Sequence, residues 1–538
     1  MEKYDVIVIG AGPNGLTTGA YLSKGGAKVL FLERRHETGG GLVTDEFSGF
    51  RFNLHAAYMM MIDVMPPYKD LDLYDYGCAY IQPEVPVSLL TKDGKALTLY
   101  RDLEKSVKSI EKFSTKDAKR FKEVYLECKE LCDECLIPAT YAHPTPPLDY
   151  VTMLNESEIG RKIMEISEKS PKEIIDEWGF ENEYLNTILL HLSCMWGLDP
   201  SVTGVGYMVP LYINRLLNVA LVKGGSHRLS SALHKVAKTN GAQILESSEV
   251  VKIIMENNEA KGVELADGRK FEAKVVVTST DPETTFLELI GENICKNIDS
   301  TLPDRAKHWE WESWSLFGIH MALNAPPRYK ASEFDPDVEK AFIKIIGYET
   351  PEDFISHINE IKAGKIPSPS GHTTTTTDFD PQQAPVDVFP GTAVARWETL
   401  APYDLNGDKW DDVCEKYADE TLIKWQEYAP NLKNVKIIRR YVYPPTYIDM
   451  KLVNMKKGSI KHGAYIPLQM GYFRPIDSCS SSRTPIKNLY LCGASTYPGG
   501  MILLGSGYNA AQSVAEDMNI KWWNPPDYVV EAKKKKLV

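Results

Sequence analysis

The first 33 residues constrain the fold more than any other stretch of the sequence. Alternating apolar residues over 4–9 predict a strand, a glycine turn follows, 16–25 is helical in pattern, and 28–33 predicts a second strand. Glycines in such a turn let the backbone approach a pyrophosphate, which then lies at the amino end of the helix. The candidate phosphate-binding residues are Gly10, Gly12, Pro13, Asn14 and Gly15.

The acid that ends the second strand, Glu33, stands where a carboxylate accepts from a ribose hydroxyl. Strand, turn, helix and acid together predict a dinucleotide-binding α/β unit. The alternative is a glycine-rich turn that binds nothing.

A second glycine cluster follows this acid and distinguishes FAD from NAD. Flavoproteins carry such a cluster where the extended FAD runs past the first unit, so the sequence favours FAD. A second complete GxGxxG is absent, which argues against a stable NAD(P)H domain and leaves a quinone, oxygen or a protein carrier as electron acceptor. The additional candidate cofactor residues are Arg34, Arg35, Gly39, Gly40 and Gly41.

Charge and cysteine content exclude several classes of protein. The 61 Lys and Arg against 73 Asp and Glu give a net charge of −12, which disfavours nucleic-acid binding. Nine cysteines and the lack of a signal-peptide pattern predict a reducing compartment, the cytoplasm. The apolar run 204–222 contains Arg215, so it is interpreted as internal core and not as a membrane span.

A strand, a glycine turn and a helix recur near the carboxyl end, over 486–518. The economical interpretation is a discontinuous dinucleotide domain made of 1–75, 219–283 and 469–519. The segments 76–218 and 284–468 would then form a substrate or cap domain, with 520–538 as a tail. Within the cap, the irregular stretch 367–390 with its five-threonine run predicts a surface excursion.

Several stretches carry a resemblance to a known family: VIGAGPNGL, LERRHETGGGLVTDEFSGFRF, KGGSHRLSSAL, VVVTSTDP, HGAYIPLQMGYFRP and RTPIKNLYLCGASTYPGGMILLGSGYNAA. The chain resembles the phytoene desaturase and retinol saturase family, including its pyridine nucleotide-disulfide oxidoreductase domain 2 branch. The resemblance implies an α/β fold, a discontinuous Rossmann-like FAD-binding domain of the flavin amine oxidase or phytoene desaturase type with an inserted α+β substrate domain. It also implies an adenine-side strand and a flavin-facing turn that contribute Val250, Val251, Gly493, Gly499, Gly500 and Met501.

The implied activity is desaturation or saturation of a carbon–carbon bond in a hydrophobic substrate, isoprenoid, carotenoid-like or alicyclic, by hydride transfer at flavin N5. Two alternatives stay open. One is a redox-neutral flavin-dependent isomerase or hydratase of an alkene, and the other is a non-enzymatic escort for prenylated proteins.

Three side chains are candidates for acid–base chemistry, because their stretches approach the flavin in the family fold: His55, His462 and Tyr465. Tyr465 and Arg474 are also candidates for binding a polar substrate group. Core histidines, a core tyrosine and a surface ion pair are the respective alternatives.

Two remaining patterns have a structural and a functional interpretation. Cys128, Cys132 and Cys135 share a spacing with iron–sulfur ligands, but they also lie on one face of a predicted helix as small apolar residues, and no metal is predicted. Trp522-Trp523 and the lysines 533–536 predict either a frayed solvated tail or peripheral contact with an anionic membrane. The apolar runs 58–65, 188–198 and 204–222 line a hydrophobic tunnel or form plain core.

Overall fold

The computed structural model describes residues 2–538, which form two seven-stranded sheets with helices packed around them. The strands are β1 Lys3–Ile9, β2 Val29–Leu32, β3 Asp45–Phe47, β4 Phe50–Phe52, β5 Tyr80–Ile81, β6 Val85–Leu90, β7 Ala96–Leu99, β8 Leu221–Val222, β9 Gln243–Leu245, β10 Val250–Glu256, β11 Glu259–Leu265, β12 Lys270–Thr278, β13 Trp314–Leu323, β14 Ala341–Ile346, β15 Gly371–Thr375, β16 Ala393–Pro402, β17 Ile437–Tyr443 and β18 Leu489–Leu491.

The helices are α1 Pro13–Lys24, α2 Pro66–Asp70, α3 Leu103–Glu111, α4 Thr115–Leu131, α5 Ile137–Thr140, α6 Pro147–Leu154, α7 Glu158–Ser167, α8 Pro171–Glu177, α9 Glu183–Cys194, α10 Met208–Leu216, α11 His227–Thr239, α12 Glu292–Ile298, α13 Leu302–Lys307, α14 Pro351–Lys362, α15 Trp410–Tyr428, α16 Pro445–Lys451, α17 Gly505–Met518 and α18 Asp527–Lys534. Two π-helical segments, Cys132–Leu136 and Thr284–Gly291, continue the helices beside them.

The first sheet has the order β10-β11-β12-β1-β2-β9, and β18 pairs with the end of β12. Its pairs β12–β1, β1–β2, β2–β9 and β12–β18 are parallel. Because parallel strands are covered on both faces, β2 is apolar throughout, and α1, α11 and α17 pack on one side. The strands of this sheet come from the segments assigned to the dinucleotide domain, although the domain boundaries themselves stay a prediction.

The second sheet has the order β17-β13-β16-β15-β14-β6-β7 and is antiparallel except for the pair β14–β6. Its strands come from the two segments that the sequence assigned to the substrate domain. One face packs on α15, with Trp397 and Trp425 among the largest buried side chains. The other face is turned toward the segment around residues 53–58, since Arg396 donates to the Asn53 carbonyl and lies over the Tyr58 ring.

The expectation of a surface excursion over 367–390 is wrong for its first half. The threonine run forms most of β15, an inner strand between β14 and β16, and Thr373, Thr374 and Thr375 have no exposed surface. Threonine is β-branched and suits a strand, and the hydroxyls of Thr373 and Thr374 find hydrogen-bond partners inside. Only the later part reaches the surface, where Val388 and Phe389 are exposed.

The carboxyl-terminal segment is not a frayed tail. Trp522 lies 5.0 Å from the ring of Tyr21 and 5.5 Å from that of Tyr508, between ring centroids. Leu537 is buried, and Lys536 pairs with Glu156 at 2.6 Å. Aromatic packing therefore holds this segment against the body of the protein.

The three closely spaced cysteines are buried thiols. Cys132 donates to the carbonyl of Pro210 at 3.3 Å and Cys135 to that of Leu537 at 3.5 Å, and burial raises the pKa of Cys135 to about 12. Within residues 2–538, no His, Cys, Asp and Glu side chains group in a way that could hold a metal ion. None of the helices described there is long and apolar enough to cross a bilayer.

Candidate functional site

A cavity of about 940 Å³ lies at the carboxyl ends of β1, β2 and β12. Ligands of open α/β sheets bind at this edge, because the strand ends and the helix N-termini converge there. Both glycine turns predicted from the sequence border the cavity.

The amino-terminal turn is shaped by close backbone contacts. Gly10 has a φ of +86°, and a Cβ there would lie 2.2 Å from Oγ of Ser279. A Cβ on Gly15 would lie 2.1 Å from the carbonyl oxygen of Gly10, so strand and helix meet without side chains between them. At Gly12, in contrast, no atom beyond its own chain neighbours lies within 4 Å of such a Cβ. Gly12 therefore faces open space beside the first turn of α1, whose amide hydrogens have no partner within the helix.

Glu33 follows β2 and accepts a hydrogen bond from the turn between β1 and α1. It is buried, and its two carboxylate oxygens accept from the backbone N–H of Ala11 at 2.8 Å and of Arg35 at 2.9 Å. The remaining lone pairs of the carboxylate are available to a ligand hydroxyl in the cavity that Glu33 lines. Arg34 pairs with Glu249 at 3.4 Å on the rim.

The carboxyl-terminal turn and the amino-terminal turn both contact Ser279, and the helices that follow them pack together. Thr18 Oγ1 donates to the carbonyl of Gly507 at 2.9 Å, joining residues 489 positions apart. A Cβ on Gly493 would lie 2.3 Å from the carbonyl oxygen of Ser279. The backbone is strained here, because Met501, Ile502 and Leu504 have φ of 69°, 56° and 57°. Such outliers cost about 1–3 kcal/mol each and cluster at functional sites.

The structure brings most of the sequence-predicted residues to this one cavity. The cavity lining includes Gly10, Gly12, Pro13, Asn14, Gly15, Glu33, Arg34, Arg35, Gly40, Gly41, Val250, Val251, His462, Gly493, Gly500 and Met501. Gly39 and Gly499 are not part of the lining. Gly39 donates its N–H to Ala11 at 2.8 Å, and Gly499 packs against the Tyr465 ring.

His462 is held in one tautomer by a neighbour that the sequence did not point to. The side-chain oxygen of Asn454 accepts from the N–H of Asp281 at 3.1 Å, and its amide nitrogen donates to the Ser279 carbonyl at 3.0 Å. This fixes the amide orientation, so Asn454 donates to Nδ1 of His462 at 3.2 Å and the imidazole proton sits on Nε2. Burial lowers the pKa of His462 to about 4, which keeps the ring neutral.

Tyr465 and Arg474 support the carboxyl-terminal turn from behind. The Tyr465 hydroxyl accepts from the N–H of Gly500 at 3.0 Å. Arg474 is fully buried, lies over the Tyr465 ring, and donates to the carbonyls of Lys461 at 2.7 Å and Ala494 at 3.0 Å. The surface ion pair is therefore wrong for Arg474, because the side chain is fully buried and its Nη groups donate to backbone carbonyls, while Nε has no partner.

Two further cavities adjoin the first. A chamber of about 80 Å³ shares Gly41, Met455, Ile460, Met501 and Ile502 with the dinucleotide cavity. Its other walls include His55, Tyr58, Trp196, Leu316, His320 and Glu398. Burial, followed by the charge of Lys451, lowers the pKa of His55 to about 3, and its Nε2 has no hydrogen-bond partner.

The third cavity, about 310 Å³, borders Met501 and is lined in part by residues of α6, α7 and α10. Its lining is largely apolar and aromatic, including Met60, Met61, Tyr207, Tyr212, Tyr465 and Tyr497. These walls come from the apolar runs 58–65 and 204–222, together with the stretch around Tyr465. Met501 borders all three cavities.

Comparison with known proteins agrees with this architecture. Residues 8–75 match the model of the NAD(P)-binding Rossmann-like domain. A limonene dehydrogenase chain of Castellaniella defragrans is 53% identical over 545 residues, covering 100% of this chain and 99% of that protein. The chain belongs to the same family of oxidoreductases. This family includes phytoene desaturase (lycopene-forming) of a Paracoccus species, which is 25% identical with 95% of this chain and 97% of that protein covered.

More distant relatives confirm the branch and the fold. Pyridine nucleotide-disulfide oxidoreductase domain-containing protein 2 of Rattus norvegicus is 27% identical over 96% of this chain and 94% of its own length. An oxidoreductase from Methanosarcina mazei matches with a TM-score of 0.61 at 18% identity, covering 96% of this chain and all of that one. Putrescine oxidase matches at 0.59 and 14% identity, over 96% of this chain and 99% of that one.

The predicted resemblance, fold class and enzyme class are thereby confirmed. The protein is an oxidoreductase related to limonene dehydrogenase and to the carotenoid desaturases. Sequence reasoning missed Ser279, Asn454 and Glu398. Of these three residues, only Ser279 lies in a stretch that carried the family resemblance, VVVTSTDP.

Proposed function

We propose that the chain is an FAD-dependent dehydrogenase that removes a hydrogen pair from an apolar, limonene-like alicyclic or isoprenoid substrate. The observation that carries this proposal is that Met501 borders all three cavities. A dinucleotide-sized space lined by two glycine turns thus lies beside apolar space.

The residues of the large cavity fit FAD. Open space at Gly12 and the free amides of α1 suit a pyrophosphate, and Glu33 suits a ribose. The lining extends from Val250 on one side to Met501 on the other, as a ligand longer than a mononucleotide requires. The matched domain model covers 8–75, a unit that NAD and FAD domains share, so the second turn favours FAD.

The substrate side supports an apolar ligand. Trp196, Leu316 and Ile448 line the chamber, and tyrosines and methionines line the third cavity. Methionine adapts its shape to apolar ligands, and walls of this kind exclude water from the reacting atoms. The 53% identical relative is named as part of a limonene dehydrogenase, which favours an alicyclic hydrocarbon over a long polyene.

When bound, FAD supplies a hydride acceptor at N5. The protein's own part is positioning. His462, neutral and with its proton on Nε2, acts as a hydrogen-bond donor in the cavity and not as a base near neutral pH. Tyr465 and Arg474 hold the turn at Gly500 in place. We assign no proton transfer to Tyr465, because burial raises its pKa and its hydroxyl binds the backbone.

The electrons then leave to a quinone, oxygen or a protein carrier. All nine cysteines lie within residues 2–538 and are free thiols, which fits the cytoplasm as the compartment. Membrane contact through the carboxyl-terminal segment is not part of the proposal, because its tryptophans pack inward on Tyr21.

A redox-neutral isomerase is the second candidate. It is favoured by a relative named prolycopene isomerase 1, which is 23% identical over 97% of this chain. Turnover without any electron acceptor distinguishes it from a dehydrogenase.

The test is the absorption spectrum of the purified protein, recorded anaerobically before and after addition of limonene. We expect a flavin spectrum that bleaches with the substrate and recovers with an added acceptor. A colourless protein that refuses FAD on reconstitution would contradict the cofactor assignment. A yellow protein that converts the alkene without bleaching and without an acceptor would favour the isomerase.

A further inference from the structure

The face of the second sheet that lines the chamber of about 80 Å³ carries charged side chains. Arg396 and Glu398 are two residues apart on β16 and therefore point to the same side. His320 on β13 is the strand partner of Arg396, and His372 on β15 is the partner of Glu398. All four are at most 4% exposed, so this polar face is buried in the interior of the protein.

The carboxylate of Glu398 is held by two partners. Arg396 Nη2 donates to Oε1, and His372 Nε2 lies 3.2 Å from Oε2. Since a carboxylate only accepts, the His372 proton sits on Nε2 and donates to it. Arg396 also donates to the carbonyl of Asn53 at 3.0 Å, which fixes the guanidinium.

Glu398 is the one anion of this group. Burial alone would raise its pKa, but Arg396 and His372 outweigh burial and the pKa lies below its ordinary value. Burial lowers the pKa of His320 and of His55, so both rings are neutral. Tyr58 donates to Thr374, whose own hydroxyl donates to the Phe342 carbonyl.

Stability alone does not account for the charged pair. A buried ion pair is often no more stabilising than apolar side chains of the same volume. Glu398 also lines the chamber that adjoins the cavity at Met501 and Ile502, where the other walls are mostly apolar. A fixed negative charge thus faces the space into which the proposed substrate would project.

We propose that Glu398 is a catalytic residue of the dehydrogenation, facing the carbon that loses hydride and accepting the proton from the neighbouring carbon. This inference rests on the proposed function. One C–H bond breaks with both electrons going to the oxidised flavin, the adjacent C–H bond breaks with its proton going to the Glu398 carboxylate, and the carbon–carbon double bond forms between them.

A carboxylate of low basicity suffices for this step. Loss of hydride leaves positive charge on carbon, which makes the adjacent C–H strongly acidic, and a preorganised anion stabilises that charge in a dry site. Arg396 and His372 act as positioning residues, since each holds one oxygen of the carboxylate. Protonation of Glu398 leaves the Arg396 cation buried without its anion, which favours release of the proton before the next cycle.

The first experiment compares Glu398→Gln with wild type in the anaerobic bleaching assay. Glutamine keeps the shape and loses the charge, so we expect bleaching by limonene to slow at least about 100-fold while the flavin content stays the same. Glu398→Asp retains the charge and should recover part of the rate. The matched control is Glu339→Gln, in the same domain but paired with Arg328 away from the chamber, and its rate should stay within about twofold of wild type.

The second experiment measures ligand binding without turnover. Two limonene analogues are compared by titration calorimetry, one with a ring methyl replaced by CH2NH3+ and the other with CH2OH at that position. We expect wild type to bind the ammonium compound at least about 10-fold more tightly than the alcohol, as a mimic of the positive charge. The preference should vanish in Glu398→Gln and persist in Glu398→Asp.

The outcomes separate this inference from the proposed function. Normal bleaching in Glu398→Gln, or equal binding of the two analogues by wild type, overturns the role of Glu398 and leaves the dehydrogenase intact. Failure of wild type to bind flavin or to bleach with limonene overturns the proposed function itself. If Glu398→Gln does not fold, the wild-type binding ratio and Glu398→Asp still decide the question.

Discussion

The two sheets of this protein place buried polarity in opposite ways. The parallel strands of the first sheet are apolar on both faces, and this sheet offers a ligand its backbone, through Gly10, Gly12 and the free amides of α1. The second sheet buries Trp397 on one face and Arg396 with Glu398 on the other. A ligand site built from backbone groups can be recognised in the sequence by its glycine motif. A site built from strand side chains shows only the alternation of inward and outward residues along the strand.

The largest effect on this contrast is expected from removing one charge of the buried Arg396–Glu398 pair in the second sheet. Arg396→Leu leaves Glu398 buried without its cation, and we expect a loss of about 3–5 kcal/mol in the free energy of unfolding, measured by urea denaturation. The double variant Arg396→Leu/Glu398→Leu should regain most of this loss. A single variant that costs less than about 1 kcal/mol would show that water reaches the pair.

In the first sheet, substitution of one glycine should weaken flavin binding without lowering the stability of the fold. Gly12→Val adds a side chain into open cavity, so we expect flavin binding to weaken at least 100-fold, about 2.7 kcal/mol, with the unfolding of the flavin-free protein nearly unchanged. Gly493→Val meets the Ser279 carbonyl and should lose both binding and stability. Fluorescence titration with FAD and melting of the apoprotein check both; unimpaired binding by Gly12→Val would place the pyrophosphate elsewhere.

His55, which lines the chamber beside Glu398, should make stability depend on pH. The folded pKa of His55 is about 3 and the unfolded value about 6.5, so between these values the unfolded state binds the extra proton. Stability is therefore complete above about pH 6.5 and falls as the pH decreases toward 3. His55→Gln should flatten the slope by about 1.4 kcal/mol per pH unit between pH 4 and 6, measured by urea denaturation. An unchanged slope would mean that His55 is already charged in the folded protein.

The smallest expected effect compares two neighbours on β15. The Thr375 hydroxyl is buried without a partner, so Thr375→Val should change stability by less than about 1 kcal/mol or increase it. Thr374→Val removes the partner of Tyr58 and the bond to Phe342, and should cost about 1–3 kcal/mol. Thermal melting of both variants tests this, and equal losses would mean that the two faces of the sheet are alike.

The cofactor side of the site could be predicted from sequence, because its chemistry resides in short local patterns. Gly10, Gly12 and Glu33 have fixed spacings that follow from strand, turn and helix geometry. The prediction erred where a local pattern has two meanings: the threonine run was interpreted as a surface loop, although it forms the inner strand β15.

The sequence by itself determined the first unit and the resemblance that gives the family, because each depends on residues close together in the chain. Only the tertiary structure decided that Arg474 supports a turn, that Asn454 fixes the His462 tautomer, and that Arg396 and Glu398 face inward. Alternation along β16 shows that a strand has two unlike faces, but what covers the polar one depends on His191 of α9 and on Tyr58, distant in sequence. Contacts between such remote segments are set by how the two sheets and their helices pack, and no local pattern encodes them.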